Sequence, residues 1–149
     1  MTLQKNIIKS LSLILFVLIV AISCDKRPTA PNSLVGTWEN PTYAEEIYTY
    51  DGITFTSANM YVVKVERIIY SSDTAGIIYG KYTENSYTPS LVGKYYAVSF
   101  KDLTDSGVSI SGAYKKSGKT GTDTLEQAIK EFTIDNEYFG IYSACERKQ

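Results

Sequence analysis

The chain contains no histidine. That removes the side chain most often used as a general base near neutral pH, and the commonest metal ligand with it. Cysteine is almost as scarce, with only Cys24 and Cys145 present. Neither has a histidine that could activate it as a nucleophile, and no serine sits in a Gly-x-Ser-x-Gly turn. Glu45 and Glu46 are adjacent, so a strand sends them to opposite faces and they cannot act as a carboxylate pair. Asp102 and Asp105 lack the further oxygen ligands of a calcium loop. Residues 112–120 imitate a phosphate loop, but five residues separate Gly112 from Gly118 where that motif has four. These absences argue against an enzyme and give no site for a cofactor or metal. Net charge is small too, at −1, so nothing electrostatic favours nucleic acid as a partner. The one basic cluster, Lys115, Lys116 and Lys119, lies among glycines and reads as a solvated loop.

What the sequence does have begins at its N-terminus. Lys5 and Lys9 precede an apolar run over residues 11–20 that only Ser12 interrupts, and Ala21 and Ser23 flank Ile22 just before Cys24. This is the layout of a secretory signal peptide, too short for a good membrane span. Val20-Ala21-Ile22-Ser23-Cys24 resembles the lipobox of bacterial lipoproteins, departing from it at Ala21, where that family most often has leucine. The resemblance implies cleavage before Cys24, a diacylglycerol on its sulfur, and a further acyl chain, with palmitate expected, on its new amino group. It divides the chain into a signal peptide (1–23), a lipidated N-terminus and flexible tether (24–33) containing Pro28 and Pro31, and a folded domain (34–147). It also implies a lipid anchor on a bacterial cell membrane, inner or outer, with the domain extracytoplasmic. Asp25 after the cysteine is similar to an inner-membrane retention signal of some bacteria.

Without the first 23 residues, 126 remain, enough for one domain, with 13 basic and 16 acidic residues. If Cys24 carries lipid through its sulfur, Cys145 has no disulfide partner and reads as a small buried thiol. The fold must then rest on packing, to which 13 tyrosines, 5 phenylalanines and Trp38 contribute large half-polar surfaces.

Alternating apolar and polar residues predict strands over 34–39, 42–50, 53–56, 60–70, 76–84, 94–101 and 108–113, separated by turn signals such as Asp51-Gly52. In the longest of these, Val63 and Val65 share a face with Tyr61 and Ile69. In the sixth, Tyr96, Val98 and Phe100 share one. Asp123-Thr124-Leu125-Glu126 has the form of a capping box, with Asp123 as cap and Glu126 reaching back. Leu125, Ala128, Ile129 and Phe132 then form an apolar stripe. The helix is predicted to end near Glu131 and give way to a hairpin in which 138–144 is the closing strand. The fold class is therefore all-β with one short helix before the last strand or hairpin.

Gly36-Thr37-Trp38 in the first strand resembles the Gly-x-Trp of lipocalin-like domains, and the order of segments over 34–147 is similar to that of small lipocalin-like bacterial lipoproteins. The resemblance implies a small antiparallel up-and-down β-barrel of seven to nine strands, with the Trp across its floor. It departs in the helix, which lipocalins usually place after the last complete barrel strand. A sandwich or open curved sheet is the competing architecture. In a barrel, Trp38, Val63, Val65, Tyr96, Val98, Phe100 and Ile110 point inward. They either line a cavity for a small apolar ligand or simply fill the core, since an eight-strand barrel is barely wider than its side chains. Tyr82 and Tyr87, on or beside the loop containing Pro89, are the candidate contacts for a partner protein. The functional expectation is a non-enzymatic, membrane-anchored binding lipoprotein. The alternatives are a surface adhesin or inhibitor working through its loops, or an envelope structural protein without ligand.

Overall fold

The computed structural model describes residues 33–149; the expected signal peptide, Cys24 and all of the tether before Ser33 lie outside the described residues. Eight strands follow in order: β1 (Gly36–Glu39), β2 (Ile47–Tyr50), β3 (Thr54–Ser57), β4 (Tyr61–Ser72), β5 (Ala75–Asn85), β6 (Tyr95–Lys101), β7 (Gly107–Gly112) and β8 (Ser143–Arg147). A 3-10 turn, Pro89–Leu91, lies between β5 and β6, and one helix, α1 (Leu125–Glu131), between β7 and β8. Every strand pairs antiparallel with the next, and β8 returns to β1, so the sheet is a closed up-and-down barrel. The helix precedes a last strand, not a hairpin.

Register fixes which side chains enter the barrel, because directly opposed residues share a face. Trp38 opposes Tyr48 and Arg147, Phe55 opposes Val63, Val63 opposes Tyr82, and Phe100 opposes Ile110. Trp38, Phe55, Val63, Ile78, Val98, Phe100 and Ile110 are all at most 1% exposed, so this part of the interior is packed dry. At its floor the Trp38 indole donates to the Leu34 carbonyl at 2.9 Å, and the Arg147 guanidinium lies 4.1 Å from its ring centroid. The helix packs on β5 and β6, where the Tyr79 hydroxyl donates to the Phe132 carbonyl at 2.9 Å.

Three local expectations are corrected. The second strand begins at Ile47, not residue 42, because Asn40 Oδ1 accepts from the Thr42 and Tyr43 amides and holds the chain in a turn. The helix cap is one residue later than expected: Thr124 accepts from Gln127 N–H while the Gln127 side chain reaches back, and Asp123 instead forms an ion pair with Lys94. The hairpin over 132–144 does not form. Asn136 Nδ2 donates to the Lys130 and Glu131 carbonyls, capturing the free carbonyls of the helix end. Phe132 is buried as the helix C-cap while Ile134 is exposed, which breaks the alternation that suggested a strand, and the closing strand starts at Ser143.

β4 and β5 also approach so closely at Gly80 that an added Cβ would overlap the Lys64 carbonyl and the Val63 side chain. Gly80→Ala should therefore destabilise the barrel by about 2–3 kcal/mol in a urea titration. Gly140→Ala, where a Cβ meets nothing within 4 Å, should leave the midpoint unchanged.

Candidate binding cavity

The β2 start, β3 end, β4 start, β5 end, β6 start and β7 end all lie at one mouth of the barrel. There the interior opens into a cavity of about 510 Å³. Tyr48, Ser57, Tyr61, Tyr82, Tyr96 and Gly112 line its walls, and Met60, Tyr87, Leu91, Tyr114 and Thr120 surround its entrance. The tyrosines are there because period-two alternation carries the inward face of each strand to the mouth, and the barrel is filled below them.

Three rings hold one another in place. Tyr82 stacks on Tyr96 with centroids 4.7 Å apart, and Tyr61 meets both edge-on at 5.7 and 5.3 Å. The Tyr61 and Tyr96 hydroxyls meet over Gly112, where a Cβ would come within 2.6 Å of the Tyr96 oxygen and 3.2 Å of the Tyr61 oxygen. Tyr48 is steadied differently. Its hydroxyl reaches Ser143 Oγ at 3.4 Å, Ser143 donates to Glu46 Oε2 at 2.7 Å, and Asn40 Nδ2 donates to the same oxygen at 2.8 Å.

Burial makes these phenols reluctant to ionise. Desolvation, reinforced by neighbouring phenols, pushes Tyr61 well above and Tyr82 far above the usual tyrosine value of 10.0. It also raises Tyr96 to about 12, against hydrogen bonds from Tyr61 and Tyr82 that pull it down. Desolvation raises Tyr48 too. The cavity is therefore lined by neutral phenols across the physiological range. Cys145 is buried, donates to the Ser143 carbonyl at 3.4 Å, and has its thiol pushed up to about 11 by burial. Among the described residues, no group of three or more acidic or cysteine side chains could hold a metal ion.

Of the seven residues expected to line a cavity, the structure brings only Tyr96 to one. Trp38, Val63, Val98, Phe100 and Ile110 are inward but belong to the packed layer, and Val65 is half-buried against it. Tyr82 is corrected from a loop contact to an interior group: it sits in β5, 4% exposed, and lines the cavity, so no partner protein can reach it directly. Tyr87 is on the loop as expected, 77% exposed at the entrance. Tyr48 follows from the alternation of the predicted 42–50 strand, whereas Ser57 lies one residue past the predicted 53–56 strand and ends β3 in the structure. Lys119 does not face solvent alone but pairs with Glu131 at 3.1 Å.

No protein-family model, curated protein or solved structure matches this chain. Among the described residues no helix is long and apolar enough to cross a membrane.

The raised phenols predict an alkaline weakness. In the unfolded chain tyrosine ionises at its ordinary value, whereas the folded chain holds these protons to higher pH, so their contribution is intact below pH 10 and is lost as pH climbs towards about 12. Urea midpoints measured across that window should fall, and Tyr82→Phe should make the fall shallower.

Proposed function

We propose that this chain is a non-enzymatic lipoprotein, tethered by acylated Cys24 to a bacterial cell membrane, whose extracytoplasmic lipocalin-like barrel holds a small, largely apolar ligand in its mouth. The observation that carries the ligand reading is the cavity itself. At about 510 Å³ it falls within the ~300–1,000 Å³ typical of small-molecule sites. A barrel of this size built only as a scaffold needs no such opening, because larger side chains at Ser57, Gly112 and Ala113 would close it.

The anchor is supported by the sequence pattern ending at Cys24. Ser33 and Val35 offer their carbonyls to Arg147 at 2.7 and 2.9 Å, at the Trp38 floor. Two or more acyl chains suffice for durable anchoring, each buried methylene contributing about 0.8 kcal/mol.

A second reading, recognition of a partner protein by the loops, is favoured by the exposed apolar rim. Tyr114 is 69% and Met60 45% exposed beside Tyr87, and exposed aromatics of this kind are typical of protein-contacting loops. Cross-linking through Tyr87 that recovers an envelope protein, in cells where no small molecule co-purifies, would favour that reading.

Two outcomes are expected. Cys24→Ser should leave the protein larger and shift it out of the acylated membrane fraction; the same mature size and the same membrane retention would overturn the anchor. Gly112→Val should drive the Tyr61 and Tyr96 hydroxyls into the cavity. Native mass spectrometry of the full chain should then show the co-purifying small molecule lost, with the circular dichroism spectrum unchanged.

A further inference from the structure

The lining of the mouth mixes three properties. None of its described lining residues is an Asp, Glu, Lys or Arg. The ion pairs nearest in sequence to it, such as Lys94 with Asp123 and Lys119 with Glu131, satisfy one another outside it. A ligand carrying a full charge would lose its water in the cavity and meet no counter-charge, which is costly.

The ring geometry separates the two signs of charge further. A quaternary ammonium ion is recognised over aromatic faces. Here Tyr82 and Tyr96 lie at 24° to one another, each covering one face of the other, while Tyr61 stands at 80° and 73° to them in T-shaped contact with both. The trio therefore does not form an open cage of faces. Flat rings entering beside it still find aromatic and apolar walls in Tyr48, Met60 and Leu91, for offset or edge contact.

The deep end is polar. The Tyr96 and Tyr61 hydroxyl oxygens converge at Gly112, within 2.6 and 3.2 Å of where its Cβ would stand, and the Tyr82 ring stacks on Tyr96 beside them. Each of these neutral phenols carries one O–H donor and an acceptor oxygen that an entering hydroxyl or carbonyl can meet. Ser57, 5% exposed, adds a hydroxyl to the same lining.

We infer that the mouth takes an uncharged, ring-bearing ligand whose inner end carries a hydroxyl or carbonyl oxygen facing the Tyr61, Tyr82 and Tyr96 hydroxyls, and that it discriminates against carboxylates and quaternary ammonium ions. This rests on the reading of the mouth as a ligand site, and deepens it by naming the ligand's chemistry.

The test is isothermal titration of the full chain in phospholipid nanodiscs, referenced to empty nanodiscs, near neutral pH. Four probes share one ring system: naphthol, methylnaphthalene, naphthoate and naphthylmethyl-trimethylammonium. Naphthol should bind, and the two charged probes should bind at least about tenfold more weakly, as unpaired charge in an apolar site demands. Naphthol should also exceed methylnaphthalene by about five- to tenfold, the worth of a buried hydrogen bond, and Tyr96→Phe should abolish that preference while methylnaphthalene still binds. Equal or tighter binding of either charged probe overturns the discrimination. A naphthol preference that survives Tyr96→Phe overturns the assignment of the polar end. Binding of none of the four overturns the ligand site on which the inference rests.

Discussion

The barrel depends on a seam only two residue pairs long, Trp38 with Arg147 and Glu39 with Glu146. Without it β1 and β8 would be open edges, and the inward face would not be an interior. So short a ladder gains little from backbone bonds alone, and Arg147 reinforces it. Its guanidinium covers the Trp38 ring, donates to the carbonyls of Ser33, Val35 and Asp105, and occupies the space where a side chain at residue 36 would stand. Gly36, at φ +148°, is thus required twice, by its backbone and by the cation beside it. Lys148 extends the closure by donating its amide to the Thr37 carbonyl and pairing with Glu39 at 2.9 Å.

Once closed, the interior separates into two layers with different chemistry. At the floor and waist, Trp38, Phe55, Phe100, Val63, Val98 and Ile110 exclude water, and the sole indole N–H finds a carbonyl. Above them every inward aromatic is a tyrosine. Phenylalanine would fill the same volume, so ring burial does not explain the difference; the hydroxyls do. They must be satisfied where the interior opens towards solvent, by one another, by Ser143, or by whatever enters. A polar upper layer over a dry lower one sets how deep a ligand can reach.

Much of this was legible from parity and some of it was not. The faces of β6, and of β4 as far as Val65, follow from strict alternation. Beyond Val65 the register with β5 shifts, so that Arg67 rather than Glu66 opposes Tyr79. That bulge turns Ile69 outward to 42% exposure, away from the face it was expected to share with Val63. Tyr82 shows the opposite case: it stands close in sequence to Pro89, but its parity with Ile78 and Gly80 puts it inside, 4% exposed. The division between core and cavity was not legible at all. Both use the same alternating pattern, and only the three-dimensional register shows that Val98 faces filled space while Tyr96, two residues earlier, faces the opening.

The final consideration is how ready the mouth is to bind. A flexible apolar pocket must order its own side chains when a ligand arrives, at about 0.5–1.5 kcal/mol for each one immobilised. Here Tyr82 and Tyr96 are stacked, Tyr61 is edge-on to both, and Tyr48 is tied through Ser143 to Glu46, which Asn40 holds from the other side. The strand beneath contributes Gly112, whose missing side chain is what lets the hydroxyls converge. The walls are therefore arranged before anything enters, and little ordering remains to oppose binding. The rim is the exception. Tyr87 and Tyr114 stand exposed on loops with no ring contact to the trio below. In the proposed ligand site, selectivity for shape and charge would therefore fall to the fixed inner rings, with the exposed outer pair contributing contact at the rim.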